Sequence, residues 1–253
     1  MPDQPESTPP VMSPETRRRG IYLLPNLFTT GVLFGGFFAI VQAMNGRYEI
    51  AAVAIYIAMV LDGLDGRVAR WTHTQSEFGA QYDSLADMVA FGAAPALVMY
   101  EWAMRDMGKL GWIAAFVYCA GTALRLARFN ANIGVVDKRY FQGLPCPAAA
   151  AAVTGFVWVV SDFDVTLGDG LRALAWLLTV FAGITMVSNM PFYSFKDITP
   201  KKRVPFYGVL ALVAGIAIVA WRPSVVLFCM ALAFALSGYV LWALGTRVRL
   251  KPE

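Results

Sequence analysis

Four aspartates stand near one another in the sequence, at Asp62, Asp65, Asp83 and Asp87. The first two are three residues apart and the last two are four apart, so each pair shares one face of a helix. Two antiparallel helices can bring all four carboxylates together. Oxygen-only ligands suit hard divalent cations such as Mg²⁺ or Mn²⁺ and do not suit zinc. Four carboxylates balance the charge of two such ions, which indicates two-metal phosphoryl chemistry.

Small residues accompany the acids, at Gly66, Ala69 and Gly79. One explanation is close helix packing, which small residues permit and which the Gly31-x-x-x-Gly35 pair also predicts. The other is that they leave room for a flat ring, such as a nucleobase. Their spacing does not separate the two explanations.

The elements that position these residues are strongly apolar. Of 253 residues, 58% are hydrophobic and 15% are charged, against about 25% charged in an ordinary soluble domain. Five uncharged runs approach the roughly 20 residues that cross a bilayer. Three shorter runs, of which two flank the aspartates, can cross only if their charged ends continue the helix. The eight runs are 21–46, 50–61, 88–100, 110–124, 140–161, 173–195, 204–221 and 223–246. The sequence therefore predicts an all-α integral membrane protein with about eight transmembrane helices.

The distribution of positive charge supports this topology. With a cytoplasmic N-terminus and eight crossings, sixteen of the 21 lysines and arginines fall inside, as the positive-inside rule requires. The net charge of +4 then reflects topology and contact with anionic lipid, and it does not indicate nucleic acid. Residues 1–16 are predicted to be a disordered tail and not a cleavable signal peptide. Residues 17–29 are predicted to form a short interfacial helix.

The cysteines and the histidine do not form a recognisable metal site. Cys119, Cys146 and Cys229 have no metal-ligand spacing, and their odd number does not suggest a disulfide framework. We expect them to be small apolar core residues. His73 is expected to lie in a solvated loop.

The aspartate segment resembles the full signature of the CDP-alcohol phosphotransferases. The signature positions are Asp62, Asp65, Gly66, Ala69, Arg70, Gly79, Asp83 and Asp87, and each carries the expected residue. The stretches LPNLFTTG, ALRLARFN, FQGLPCPAAA and MVSNMPFYSFK extend the resemblance over about residues 17–200. These residues would form the family core, and residues 201–253 would add two transmembrane helices.

The resemblance implies transfer of a phosphatidyl or related group from a CDP-linked lipid to an alcohol, with release of CMP. It implies that Asp62, Asp65, Asp83 and Asp87 hold two divalent cations, Mg²⁺ or Mn²⁺, with Asp83 shared, and that Asp87 is also the general base. It assigns the CDP-lipid to Asn26, Thr29, Gly66, Ala69, Arg70 and Gly79. Helix capping after Pro25 is the alternative for Asn26 and Thr29. A homodimer in the bacterial cytoplasmic membrane, with the site at the cytoplasmic face, is also implied.

Within the family, the chain is most similar to members that use CDP-diacylglycerol as donor and L-serine as acceptor. A serine carboxylate needs a cation, and Arg125 and Arg128 lie three residues apart at one short run. Arginine suits carboxylates because it donates two parallel hydrogen bonds. The alternative is that both arginines are positive-inside anchors that reach lipid phosphate. Asn130 is a third candidate for the serine site.

Other functions remain open at this point. A related enzyme with the same donor could use glycerol 3-phosphate, inositol phosphate or choline. A cation transporter could use membrane-embedded acids, but the acids cluster at one membrane face and no inverted repeat is evident. A catalytically inactive scaffold is a further alternative, which the intact set of aspartates disfavours.

Overall fold

The computed structural model describes residues 14–72, 76–131, 140–193 and 206–245. These residues form nine α-helices and two short strands. In chain order they are α1 (Pro14–Met44), α2 (Tyr48–Thr72), α3 (Glu77–Asp87), α4 (Ala94–Met99), α5 (Lys109–Ala131), β1 (Tyr140–Gln142), α6 (Cys146–Asp162), α7 (Asp169–Val187), β2 (Pro191–Tyr193), α8 (Phe206–Trp221) and α9 (Pro223–Ala243). A π-helix, Met88–Ala93, joins α3 to α4, and Tyr100–Met104 and Arg105–Met107 continue α4 in π-helical and 3₁₀ form. Residues 77–107 are therefore one helical segment.

The helices follow the eight apolar runs in order. As expected, the shorter runs continue through charged residues, since α2 passes Asp62 and Asp65 and α5 passes Arg125 and Arg128. α1 begins at Pro14, inside the predicted tail, because proline is well suited to the first position of a helix. Residues 1–13 lie outside the described residues, as does His73. α1 also runs through the predicted interfacial segment to Met44 as one helix.

Four described helices are long and apolar enough to cross a bilayer, namely Asn26–Met44, Lys109–Ala131, Asp169–Val187 and Pro223–Ala243. α6 is apolar but shorter, and α2 is long enough but carries several charges. Large apolar side chains such as Phe34, Leu177 and Val240 are exposed on the helix surfaces. Exposure of this kind is expected where helices face lipid. The protein is an all-α membrane protein.

α1 packs closely against α2 and the segment 77–107, because glycines line its contact face. A Cβ atom added at Gly35 would lie 3.0 Å from the Cβ of Ala58, and one at Gly31 would lie 3.2 Å from Leu61 Cδ1. One at Gly36 would lie 2.5 Å from Cα of Ala90, in the π-helix. The packing role predicted for Gly31 and Gly35 is confirmed.

The π-helix lies directly after Asp87 and before a proline. Pro95 lacks an N–H and its ring clashes with the carbonyl four residues earlier in a regular α-helix, and that carbonyl belongs to Phe91. Here Phe91 lies in the wider π-helical turn, and its carbonyl accepts a hydrogen bond from the buried Tyr118 hydroxyl at 3.0 Å. The irregular turn thus ties the aspartate helix to α5.

A two-stranded antiparallel ribbon joins the chain before α6 to the chain after α7, with Tyr140 opposite Tyr193 and Gln142 opposite Pro191. The runs 140–161 and 173–195 are therefore not helical throughout, and the predicted helices were too long at these ends. α6 begins only at Cys146 because the two residues Gly143 and Pro145 are not helical. Gly143 has a left-handed φ of +75°, and Pro145 has an extended ψ of 138°.

α9 packs on this ribbon. The Phe192 side chain is fully buried, lies 5.7 Å from Phe234 between ring centroids, and occupies the space where a side chain at Gly238 would be. The hydroxyls of Tyr239 and Thr185 are 2.6 Å apart. The C-terminal helix is thereby fixed to the end of α7 and to β2.

We expect Gly238→Val to destabilise the protein and Gly215→Val to leave it unchanged. Valine at 238 would overlap the Phe192 ring, whereas Gly215 on α8 has open space around it. Overpacking costs about 1–3 kcal/mol, which corresponds to a Tm lower by about 3–10 °C for a chain of this size. Thermal unfolding in detergent measures the difference. Equal Tm values for the two variants would contradict the packing of α9 on β2.

Candidate active site

Three of the four aspartates meet at one place. Carboxylate oxygens of Asp62 on α2 and of Asp83 and Asp87 on α3 lie within 4.8 Å of one another. α3 begins after Ser76, whose hydroxyl accepts a hydrogen bond of 3.0 Å from the Gly79 N–H. The predicted face-sharing pairs therefore bring acids of both helices together.

Asp65 stands beside this trio and contacts α1. Its side chain is 6% exposed, and its Oδ2 atom accepts a hydrogen bond from Thr29 Oγ1 at 3.1 Å. Asp65 also interacts electrostatically with Asp62, Asp83 and Asp87. All four acids thus share one electrostatic environment, but Asp65 is not one of the three converging carboxylates.

The arrangement of the acids fits a hard divalent cation. Carboxylates at this separation repel one another, and withdrawing them from water is costly unless they are compensated. The Asp87 Oδ1 atom is buried and has no hydrogen-bond partner among the described residues. A cation bound by oxygen ligands alone would compensate both effects. The acidic cluster is therefore a candidate metal centre.

The predicted nucleotide residues divide into two groups. A Cβ atom added at Gly66 would have nothing within 4 Å, whereas one at Gly79 would lie 3.6 Å from Asn26 Oδ1. Gly66 therefore faces open space, and Gly79 packs against α1. The capping explanation for Asn26 and Thr29 is wrong, because α1 begins at Pro14, well before both residues.

Ala69 and Arg70, two further residues predicted to contact the nucleotide, belong to α2. Their side chains lie outside the described part of the structure. Their predicted contacts with the CDP-lipid stay predictions.

The two candidate arginines have different hydrogen-bond partners. Arg125 Nη1 donates to the Cys146 Sγ atom at 3.2 Å, and Arg125 interacts electrostatically with Asp87. Arg128 Nη1 donates to the Asn189 Oδ1 atom at 3.2 Å and the Ser188 carbonyl at 3.4 Å. Arg125 thus contacts the start of α6 within electrostatic range of Asp87, and Arg128 binds the end of α7.

Asn130 connects α5 to the aspartate helix. Its Nδ2 atom donates to Ser84 Oγ at 3.0 Å, and the Ser84 hydroxyl bonds the Ala80 carbonyl at 3.1 Å. Ser84 lies between Asp83 and Asp87 in the sequence. Asn130 therefore holds the helix that carries two of the three converging acids.

Sequence reasoning missed four residues that hydrogen-bond the candidate serine-site residues, namely Ser84, Cys146, Ser188 and Asn189. Cys146 is fully buried, as expected of a core residue, but it also contacts a charged group. Cys119 is only partly buried and Cys229 is exposed, so the prediction of three core cysteines was wrong for Cys229. Apart from Ser84, the missed residues lie in stretches that carry the family resemblance, and this resemblance was the sequence feature that could have identified them.

Comparison with known proteins identifies the family of the chain. The sequence model of the CDP-alcohol phosphatidyltransferase family matches residues 22–187, and the chain belongs to this family. A CDP-diacylglycerol–serine O-phosphatidyltransferase of Helicobacter pylori (strain J99 / ATCC 700824) is 38% identical over 178 residues, which cover 70% of this chain and 75% of the relative. An enzyme of the same name from Mycobacterium bovis is 34% identical over 229 residues, 86% of this chain and 78% of the relative. Another from Methanocaldococcus jannaschii is 32% identical over 191 residues, 76% and 83% of the two chains.

Proposed function

We propose that the chain transfers the phosphatidyl group of CDP-diacylglycerol to the hydroxyl of L-serine, giving phosphatidylserine and CMP. The observation that carries this proposal is the trio of Asp62, Asp83 and Asp87, with the Arg125 guanidinium within electrostatic range of Asp87. Such a trio suits phosphoryl chemistry, and a guanidinium suits the carboxylate of an amino acid. The named relatives support the same donor and acceptor.

In this reaction Asp87 acts as the general base. A serine hydroxyl is a weak nucleophile near neutral pH, and a positioned base raises its reactivity. The hydroxyl oxygen attacks the phosphorus that carries diacylglycerol, and its proton passes to Asp87. The bond from that phosphorus to the CMP oxygen breaks, and CMP leaves with the electron pair. The phosphatidyl group ends on serine without an enzyme-bound intermediate.

The four aspartates Asp62, Asp65, Asp83 and Asp87 would hold two divalent cations, Mg²⁺ or Mn²⁺, with Asp83 shared. When bound, these ions neutralise the pyrophosphate and stabilise negative charge on the departing phosphate. Thr29 would keep the Asp65 carboxylate oriented from α1, since it already donates a hydrogen bond to it.

The acceptor carboxylate would bind Arg125. This guanidinium has a thiol as its hydrogen-bond acceptor, and its buried Nε atom has no hydrogen-bond partner in the described ranges. Its donors are therefore available to an anion. Arg128 and Asn130, the other predicted serine residues, would support the site indirectly by holding the end of α7 and α3.

The nucleotide would lie on the side of Gly66, where the helix surface is open. Ala69 and Arg70 on the neighbouring turn of α2 and Gly79 on α3, with Asn26 and Thr29 on α1, would complete the CDP-lipid site. Small residues suit this role because a flat base can approach the helix backbone there.

The membrane arrangement that accompanies this function has eight crossings, with residues 17–200 as the core and residues 201–253 as two added helices. The active site would face the cytoplasm in a bacterial inner membrane, and the N-terminal part of α1 would lie at the interface. A homodimer is proposed from the family resemblance. The charge distribution along the sequence supports the orientation.

An acceptor comparison tests the function. Purified protein in detergent receives CDP-diacylglycerol, Mg²⁺ or Mn²⁺, and labelled serine, glycerol 3-phosphate, inositol phosphate or choline in parallel reactions. We expect labelled lipid from serine alone, and none after EDTA treatment, with recovery when the divalent ion is restored. Label from another acceptor would move the assignment to a related enzyme. No label from any acceptor would contradict a transferase function.

A further inference from the structure

Cys146 contacts Arg125, the proposed acceptor cation, from the first turn of α6. It is the first residue of α6, lies between Pro145 and Pro147, and is fully buried. Its Sγ atom accepts the Arg125 hydrogen bond at 3.2 Å, and Asp87 lies within electrostatic range of it. The thiol therefore contacts the acceptor cation and lies in the neighbourhood of the base.

The backbone holds this thiol in place. The Gly143 N–H donates to the Met190 carbonyl at 2.9 Å, and the Leu144 N–H donates to the Thr185 carbonyl at 3.2 Å. These bonds attach the start of α6 to the end of α7. Rotation about the backbone is further limited by the two prolines that flank Cys146. Cys146 can therefore act as a fixed reference point for a long, flexible side chain.

A thiol has chemical properties that suit this position. Sulfur is a weak acceptor and a neutral thiol carries no charge, so it orients the guanidinium without neutralising it. A carboxylate at the same place would form an ion pair with Arg125 and leave little attraction for an incoming anion. The positive charge of Arg125 thus stays available to the substrate.

Asp87 is the competing partner for Arg125. The two groups already interact electrostatically, and a direct ion pair between them would occupy both the acceptor cation and the base. We propose that Cys146 is a positioning residue, which holds Arg125 in the orientation that binds the acceptor carboxylate and keeps it from pairing with Asp87. This role rests on the proposed function, and it deepens it by adding a residue of α6 to the acceptor site.

Cys146→Ala and Cys146→Ser test this role in the full-length protein. Alanine removes the acceptor atom, and serine replaces it with a hydroxyl oxygen. Loss of one hydrogen bond changes binding by roughly three- to tenfold, so Cys146→Ala should raise the serine KM by that factor. Its KM for CDP-diacylglycerol should stay within about twofold of the wild type. Cys146→Ser should restore most of the serine affinity. Cys229→Ala, at an exposed thiol, is the matched control and should have wild-type kinetics.

A double-mutant cycle separates positioning from packing. If Cys146 acts through Arg125, the Cys146→Ala change should have no further effect on the serine KM in an Arg125→Ala background. An effect of equal size in both backgrounds, or a parallel rise of both KM values with a lower Tm, would overturn the inference. If Cys146→Ala does not yield folded protein, Cys146→Val fills more of the volume and carries the same expectation. Absence of serine turnover in the wild-type protein would instead overturn the proposed function itself.

Discussion

Asp87→Asn is expected to lower kcat for phosphatidyl transfer to serine by about 10³-fold or more. General-base catalysis alone contributes about 10²- to 10⁴-fold, and the same change replaces a charged oxygen ligand with a neutral one. Asparagine has nearly the same shape as aspartate, so the packing around α3 should be kept. Steady-state release of CMP, followed with saturating CDP-diacylglycerol and serine, measures the effect.

Stability measurements distinguish this loss of function from misfolding. Asp87 has a buried oxygen without a hydrogen-bond partner among the described residues and interacts with three other carboxylates. Removing its charge relieves repulsion, so without divalent ions the variant should unfold at the wild-type Tm or above it. Addition of Mn²⁺ should raise the Tm of the wild type more than that of the variant, because a ligand stabilises the state that binds it.

The control is Asp164→Asn, at an exposed loop residue with φ +48°. Asparagine tolerates this left-handed conformation, so both activity and Tm should remain unchanged. If Asp87→Asn kept more than a tenth of the wild-type kcat, its assignment as the base would be wrong.

The sequence was informative wherever the determining pattern is local. The spacing of four residues predicted that Asp83 and Asp87 share a helix face, and the structure brings their carboxylates together with that of Asp62, while Asp65 is not part of this trio. The apolar runs predicted where helices lie, since a run of uncharged residues and its ends are visible without tertiary contacts. The Gly31 and Gly35 pair likewise predicted close packing of α1, because both glycines lie on one helix face.

The features that the sequence did not predict depend on distant partners. Arg125 and Arg128 were both candidates for the serine carboxylate, but their hydrogen-bond partners are distant in sequence, since Cys146 is 21 residues from the first and Asn189 is 61 residues from the second. The direction of a long arginine side chain depends on where its hydrogen-bond acceptor lies, and not only on the position of the arginine on the helix. The sequence did not predict the two-stranded ribbon, because β1 and β2 are too short to show a periodic pattern and are distant in the sequence.

The different partners of the two arginines lead to a prediction that separates them. Arg125→Ala should raise the serine KM by about 10- to 100-fold, the effect of losing hydrogen bonds between charged groups. The KM for CDP-diacylglycerol should change by less than about twofold. Arg125→Lys should be intermediate, because lysine keeps the charge but not the planar pair of donors.

Arg128→Ala is the matched comparison on the same helix. Arg128 donates to Asn189 and to the Ser188 carbonyl, so its loss should loosen the end of α7 and lower the Tm. We expect a smaller rise in the serine KM, about three- to tenfold, because the acceptor is affected only through the position of the chain. Equal serine KM values for wild type and both variants would remove the arginines from the acceptor site.

An acceptor without a carboxylate identifies the interaction that Arg125 makes. Ethanolamine keeps the hydroxyl and ammonium groups of serine but lacks its carboxylate, so it cannot use Arg125. The wild-type protein should therefore use ethanolamine much less efficiently than serine. In Arg125→Ala, kcat/KM should fall for serine and stay nearly constant for ethanolamine, so that the preference for serine narrows by about the same 10- to 100-fold. A parallel loss for both acceptors would mean that Arg125 supports the geometry of Asp87 and does not bind the carboxylate.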